Sequence, residues 1–207
     1  MELTGVEYGK SVLSENLIFL NGDKNKFRDI LFKIFLIKSG EKLILADTGC
    51  ETMPWFIMRD FTGSVQALRN MNISLDKITD VIITHSHHDH IECVKYFNNA
   101  IIHIQKDEYE RGKKYIPDDF TVNIFEDEYQ VAEGVKVIRI GGHSKGSCIV
   151  EVKTNEKKYI IAGDECYLRE CLTKKIPTGS SFNKAASMEF IEKYSQKEYT
   201  VLLCHDV

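Results

Sequence analysis

One eleven-residue stretch constrains this chain more than any other, because it places metal-binding side chains directly after a short buried strand. Residues 80–90 read DVIITHSHHDH. The run from Val81 to Thr84 is apolar or β-branched, which is typical of a buried strand, and the next six positions hold four histidines and one aspartate. A lone histidine would indicate an ordinary polar loop. Imidazole and carboxylate groups at this spacing favour a metal centre for zinc or another first-row transition ion.

Three further candidate ligands lie downstream in loops of small residues. They are His143 in GGHSKGS, Asp164 in AGDECY and His205 in LLCHD. The central HxHxDH pattern, followed by these three loops in this order, resembles the metallo-β-lactamase superfamily of metal-dependent hydrolases. The resemblance extends from about Leu31 to His205, and five of the seven histidines in the chain fall on ligand positions of that family.

The resemblance implies a centre of two metal ions. It assigns His85, His87 and His143 to one ion, Asp89, His90 and His205 to a second, and a bridging role to Asp164. Two dications about 3.5–4 Å apart share a hydroxide that attacks a carbonyl carbon. Two aspartates and one hydroxide leave the four metal charges at about +1, which stabilises an oxyanion. We expect two divalent ions, zinc being favoured over iron and manganese. His88 occupies a variable position of the motif, and we expect it to support the loop or to contact solvent.

Tyr167 follows Asp164 in an Asp-x-x-Tyr arrangement that is similar to the acyl-homoserine lactonase branch of the superfamily. In that branch the equivalent tyrosine reaches the carbonyl or leaving oxygen of the substrate, a role that suits a phenolic donor. The resemblance therefore implies hydrolysis of a lactone or related ester, with Asp89 and Tyr167 as catalytic residues. Residues 144–147, SKGS, depart from the family, in which many relatives have a proline after the histidine turn. This departure leaves the shape of that loop open.

Other activities of the superfamily are alternatives. A thioesterase of the hydroxyacylglutathione hydrolase type and an iron-dependent oxidoreductase are both compatible with the ligand set, and metal analysis separates the second from a zinc hydrolase. The dioxygen-reducing type generally works with a flavin domain, for which 207 residues leave no room. A nuclease would normally need an added substrate-binding region and a basic surface. A non-catalytic descendant would have lost ligands, whereas all seven positions are kept.

Length and composition support one globular domain, residues 1–207, whose 43% apolar content is sufficient for a core. The net charge of −4 and the lack of a long basic block argue against binding to nucleic acid or anionic lipid. The partner is then a small-molecule substrate, and the oligomeric state stays open.

No leader-like or membrane-spanning segment is visible, so we expect a cytoplasmic protein. The six cysteines form no CxxC pair and are predicted to be free thiols, with Cys166 and Cys204 as packed small residues.

Apolar patterning predicts alternating strands and helices, and the resembled fold is an α+β, four-layer αββα sandwich with two β-sheets face to face and helices outside. The predicted strands cover residues 30–38, 42–46, 81–84, 100–104, 120–125, 129–132, 135–140, 147–153, 158–162 and 199–204. The predicted helices cover residues 64–72, 91–97, 106–115 and 184–195. Every proposed ligand follows a strand.

Three features allow more than one interpretation. Asp47 begins an Asp-Thr-Gly turn that lies beside the metal site in the family, so it either hydrogen-bonds a ligand imidazole or belongs to an ordinary turn. Residues 51–63 are rich in large apolar side chains without clear strand alternation; core packing is favoured over a short helix or a flap over the pocket. His103 lies among isoleucines, and we expect an edge or core-facing residue rather than a ligand.

Overall fold

The computed structural model describes residues 1–207 and contains two β-sheets. The strands are β1 (Glu2–Ser14), β2 (Phe27–Ser39), β3 (Lys42–Ala46), β4 (Asp80–Ile83), β5 (Ile101–Gln105), β6 (Val122–Phe125), β7 (Glu128–Ala132), β8 (Val135–Arg139), β9 (Cys148–Lys153), β10 (Lys158–Ile161) and β11 (Tyr199–Leu202). The first sheet has the order β1-β2-β3-β4-β5-β6, and the second has the order β11-β10-β9-β8-β7.

Six α-helices connect or flank these strands. They are α1 (Glu15–Ile18), α2 (Ser64–Asn70), α3 (His88–Ile91), α4 (Lys106–Gly112), α5 (Arg169–Lys174) and α6 (Lys184–Tyr194). Short 3-10 turns cover Leu75–Lys77, Glu92–Tyr96, Lys113–Tyr115 and Gly163–Glu165. None of the helices has both the length and the apolar character that crossing a lipid bilayer requires.

Strand direction decides where the loops gather. The pairs β3/β4, β4/β5 and β5/β6 are parallel, as is β10/β11 in the second sheet, while the remaining pairs are antiparallel. Parallel neighbours end at the same edge of a sheet, so the loops after β3 and β4 lie together, as do those after β10 and β11. The sheets also meet through the backbone there, because Leu31 and Lys33 of β2 donate to the carbonyls of His205 and Cys204.

The long apolar runs are explained by burial of both faces of the strands. In β2, Ile34 and Leu36 belong to the larger core cluster, which also contains Leu68 of α2. Their neighbours Phe35 and Ile37 belong to a second cluster, formed by residues of the two sheets where they face each other. Successive side chains of one strand thus alternate between two cores. Each fully buried apolar side chain contributes about 1.5–3 kcal/mol to the stability of the fold. The predicted four-layer αββα class is confirmed.

Three elements were not predicted from the sequence. Strand β1 pairs with β2 over almost its whole length, yet it contains Gly5, Gly9 and several charged residues and lacks an apolar run. Helices α1 and α5 are also additional. The predicted helix over 91–97 is instead the short helix α3 followed by the 3-10 turn Glu92–Tyr96. The six cysteines are all free, as predicted, and all six are buried, where packing was predicted only for Cys166 and Cys204.

Residues 51–63 form neither a helix nor a strand, apart from one bridge between Arg59 and Lys10 of β1. Phe56 and Phe61 are partly buried against the core, as expected. The prediction of core packing is wrong for Trp55 and Ile57, which are 70% and 88% exposed to solvent. The segment therefore lies over the sheet with some apolar side chains inward and others in solvent.

Candidate metal centre

The seven predicted ligands converge at the edge where the parallel strands end. His85 follows β4 by two residues, Asp164 lies in the 3-10 turn after β10, and His205 follows β11 by three residues. His143 lies in the connection between β8 and β9, and Asp89 and His90 lie in the helix α3 that follows the His85 loop. Packing of buried strands fixes these loops, as a metal site requires.

Three imidazoles and one carboxylate form the first group. Nε2 of His85 and Nε2 of His143 each lie 2.9 Å from Nδ1 of His87. Oδ2 of Asp164 lies 3.6 Å from Nε2 of His85 and 3.5 Å from Nε2 of His143. Three ring nitrogens directed at one point cannot all be satisfied by hydrogen bonds with one another. A cation at that point satisfies them, and three nitrogens with one oxygen suit a tetrahedral zinc site.

The second group shares Asp164 with the first. Its Oδ1 oxygen lies 3.1 Å from Nε2 of His90 and 3.0 Å from Nε2 of His205. Oδ2 of Asp89 lies 3.5 Å from the same nitrogen of His90 and 3.7 Å from that of His205. Nε2 of His90 is buried, and neither of these carboxylate oxygens is aligned to form a hydrogen bond with it. A buried nitrogen without a well-aligned hydrogen bond costs stability in the metal-free protein, and a metal ion bound to Nε2 would remove that cost.

The two imidazoles of the second group are held in place by hydrogen-bond acceptors on the side that faces away from the centre. Nδ1 of His90 donates to Oδ2 of Asp47 at 2.7 Å, and Nδ1 of His205 donates to the carbonyl of Leu31 at 2.8 Å. Each contact keeps the proton on Nδ1 and directs the Nε2 lone pair to the centre. Asp47 therefore supports a ligand imidazole. It also accepts from Thr84 N and Oγ1, contacts that hold its backbone at a φ of 61°, an unfavourable conformation for a residue other than glycine.

Burial and mutual charge set the protonation of the first group. Burial lowers the pKa of His143 to about 4 and holds the pKa of His85 well below its usual value. Burial opposes ionisation of Asp164, but the imidazoles of His90 and His205 outweigh it and hold the pKa of this carboxyl well below its usual value. Burial lowers the pKa values of His90 and His205, but the charge of Asp164 outweighs it and holds both above their usual value. The first group therefore already has the neutral imidazoles that metal binding requires, whereas the second group releases protons when it binds a metal.

Two buried glutamates that sequence reasoning missed hold the ligand loops together. Glu108 of α4 accepts hydrogen bonds from N and Oγ of Ser86, at 2.8 and 2.6 Å, and from Oγ of Ser144 and N of Gly146, at 2.6 and 3.0 Å. One carboxylate thus ties the loop of His85 and His87 to that of His143. Burial raises the pKa of Glu108, but the bonds from Ser144 and Ser86 outweigh it and hold the pKa below its usual value.

Glu165 joins the loop of Asp164 to that of His143. Its carboxyl oxygens accept from the backbone N–H groups of Gly142 and His143, at 3.1 and 3.2 Å, and from Oγ of Ser147. Burial raises the pKa of Glu165 to about 7 in spite of these bonds. A Cβ atom on Gly142 would lie 2.2 Å from Oε2 of Glu165, so only glycine fits there. Serines of the SKGS loop thus occupy the space between two buried carboxyl groups.

We expect Glu108→Gln to weaken zinc binding about 10- to 100-fold. The carboxylate of Glu108 accepts four hydrogen bonds, whereas the amide of glutamine accepts only through its oxygen because its nitrogen is a donor. The matched control is Glu110→Gln on the same helix, where the carboxylate is exposed and pairs only with Lys113. Zinc affinity is measured by chelator competition, alongside the unfolding temperature of the metal-free protein. A lower unfolding temperature with unchanged zinc affinity would show that Glu108 supports only the fold.

A cavity of about 600 Å³ opens at the centre, with Asp89, Asp164 and His205 in its wall. Its apolar wall consists of Leu13, Leu17, Ile30, Phe32, Met53, Trp55 and Phe56. Tyr167 also lines it, and its ring stacks on His205 at a centroid distance of 5.1 Å. Burial, and then the charge of Asp164, raise the pKa of Tyr167, so its hydroxyl is protonated and can donate.

The other residues singled out from the sequence lie outside the two ligand groups. Nε2 of His88 is 2.8 Å from the carbonyl of Thr52, so this imidazole supports the segment that carries Trp55. His103 is core-facing, with Nε2 2.9 Å from Oδ1 of Asp80 at the start of β4. Cys166 donates to the carbonyl of Leu168. Cys204 is near Asp47 and His90, but these two already bond to each other and burial raises the pKa of the thiol.

Comparisons with known proteins show which family this chain resembles over most of its length. The sequence model of the family described as the metallo-beta-lactamase superfamily matches residues 33–205. N-acyl homoserine lactonase AiiB of Agrobacterium fabrum is 24% identical over 78% of this chain and 76% of its own. A probable metallo-hydrolase of Methanocaldococcus jannaschii is 26% identical over 79% of this chain and 70% of its own. A solved N-acyl homoserine lactone hydrolase, with N-hexanoyl-L-homoserine bound at its catalytic metal centre, superposes with a TM-score of 0.84 at 21% identity, covering 99% of this chain and 93% of that one.

Proposed function

The chain belongs to the metallo-β-lactamase superfamily of metal-dependent hydrolases, and on that premise we propose that it hydrolyses a lactone or related ester at a binuclear centre. One observation carries the proposal. The two oxygens of Asp164 are divided between the groups, Oδ2 lying toward His85 and His143 and Oδ1 toward His90 and His205. A carboxylate in this orientation would hold one cation with each oxygen, whereas a single ion would leave the other oxygen against two imidazoles that bind no metal.

The residues fit the two ions that the family implies. His85, His87 and His143 would hold one, Asp89, His90 and His205 the other, and Asp164 both. Nitrogen and oxygen donors in these numbers favour zinc. Two such ions, when bound, supply a hydroxide nucleophile near neutral pH and positive charge where the oxyanion develops. Asp47 and the carbonyl of Leu31 keep the second group's imidazoles oriented, and Glu108 and Glu165 keep the loops at their separation.

Tyr167 is the protein's own donor to the substrate in this proposal. Oγ of Ser180 donates to its hydroxyl oxygen at 3.4 Å, so the hydroxyl accepts from the protein. Its own hydrogen would be available to a substrate once Asp164 holds the metals. It lines the same cavity as Asp89 and Asp164, so a carbonyl or leaving oxygen of a lactone lies within its reach. The apolar wall of that cavity suits an acyl group. The lactonase relatives act on substrates of this type, which supports the assignment.

We expect Tyr167→Phe to lower kcat for lactone hydrolysis by up to about 100-fold while the metal content is unchanged. The substitution keeps the ring packed on His205 and removes one donor to the developing oxyanion, a loss of about 2–4 kcal/mol that the metal charges reduce. Steady-state kinetics and metal analysis on the same preparation provide the measurement.

Tyr194→Phe is the matched control, since Tyr194 is buried outside the cavity and its hydroxyl has no partner. If Tyr167→Phe behaves like this control, with only a modest change in stability and an unaltered kcat, Tyr167 is a packing residue. The one residue that favours a lactonase over other hydrolases of the family would then have no role in the reaction. Failure of the zinc-loaded protein to open any lactone would contradict the proposed function itself.

A further inference from the structure

Two basic residues lie at the mouth of the cavity on the side of α4. Arg111 at the end of α4 and Lys114 in the following 3-10 turn both line the cavity, and both are exposed. Neither forms an ion pair or a side-chain hydrogen bond with the protein, while Nζ of Lys114 lies 5.0 Å from the ring centroid of Tyr115. Their positive charges therefore face the cavity without a partner.

Neighbouring basic residues are paired. Lys113 bonds to Glu110 at 2.8 Å, Lys106 to Glu126 at 3.2 Å and Lys145 to Asp107 at 2.7 Å. The free side chains are thus confined, in this part of the surface, to the two residues that line the cavity.

The acidic residues of the cavity do not neutralise these cations. Only Asp89 and Asp164 are acidic among the lining residues, and both are assigned to the metal centre. With metals bound, the cavity would be positively charged both at the metal centre and at its opening, where Arg111 and Lys114 lie, and the apolar wall would separate the two. Such a field attracts anions and raises their rate of association.

We propose that the physiological substrate carries an anionic group, a carboxylate or a phosphate, remote from the scissile carbonyl, and that Arg111 and Lys114 bind it. This inference rests on the proposed function and adds the charge of the substrate to it. The guanidinium of Arg111 can donate two parallel hydrogen bonds to such a group, and the ammonium of Lys114 adds a point charge beside it. The apolar wall contacts the chain that connects the anion to the scissile bond.

The test compares three lactones on the zinc-loaded protein. They share one ring and one six-carbon acyl chain that ends in a methyl, a carboxylate or a phosphonate group. We expect the wild-type protein to have a higher kcat/KM for an anionic member than for the methyl member. This preference should fall about 10-fold in the Arg111→Gln/Lys114→Gln double variant and on raising the salt concentration. The control is Lys113→Gln, which removes a neighbouring charge that already has a partner.

Each outcome has a defined meaning. A wild-type protein that does not prefer either anion, or a preference that survives in the double variant, overturns the inference; the first result means that the two side chains are merely solvated. A preference for only one anionic end identifies the group as carboxylate or phosphate. Lack of turnover with all three compounds contradicts the proposed function. Fluorescence titration of Trp55, the single tryptophan and a cavity residue, then still measures whether the anionic compounds bind better and whether the double variant loses that difference.

Discussion

Asp164→Ala is expected to remove both metal ions and to lower kcat/KM for lactones by at least about 1,000-fold, to the level of the metal-free protein. Its two oxygens approach four imidazoles at 3.0–3.6 Å, two on each side. No other carboxylate lies within reach of both groups, since Asp89 contacts only the second. Metal content per chain, measured with the kinetics, should fall from about two to below one.

Asp164→Asn is the companion variant, because it keeps the shape of the side chain and remains informative if the alanine variant fails to fold. Asp127→Ala serves as the control, since that carboxylate is 86% exposed and lies on the turn before β7. Loss of a single ion with the other retained at full affinity would show that Asp164 belongs to one site only. A wild-type protein with one metal, unchanged in either variant, would contradict the binuclear proposal.

The strands that carry the site could be predicted because both of their faces are buried. In β2, β4 and β9 every second residue packs between the sheets and the others pack toward the helices, which gives the apolar runs that mark them in the sequence. Strand β1 could not be found in this way. Its pairing with β2 is a tertiary interaction, and its charged, glycine-containing sequence carries little local preference for a strand.

The ligands could be predicted as residues, but of the groups that position them only Asp47 was a candidate. Histidines and aspartates after strands form a local pattern, whereas Glu108 lies in the helical sequence KDEYERG, where acidic residues are usually solvated. Only the fold shows that its carboxylate is fully buried between Ser86 and Ser144, residues 58 positions apart in sequence. For Asp47 the sequence left two alternatives, a bond to a ligand imidazole or an ordinary turn, and the parallel alignment of β3 and β4 brings about the bond to His90. Most of the ion pairs around Arg111 and Lys114 also join residues distant in sequence, so the absence of a partner for these two gave no signal in the sequence.

His143→Ala and His85→Ala are expected to lower kcat/KM equally, each by about 1,000-fold, although they are 58 residues apart in sequence. Both place Nε2 2.9 Å from Nδ1 of His87 and lie within 3.6 Å of the same Asp164 oxygen. Once either imidazole is lost, the first group keeps too few donors to hold its ion in place. The double variant should then be little worse than either single one, because residues that act as one unit give non-additive losses.

The measurement is a double-mutant cycle on kcat/KM at saturating zinc, with zinc affinity determined for each variant. His103→Gln supplies the control for removing a buried imidazole, because His103 bonds to Asp80 at the opposite end of β4 and lies outside the cavity. It should lower the unfolding temperature and, combined with His85→Ala, give losses of stability that add, since the two sites share no partner. If the fold losses in kcat/KM of the His85 and His143 variants multiply in the double variant, the two histidines bind separate ions. The division of ligands around Asp164 would then be wrong.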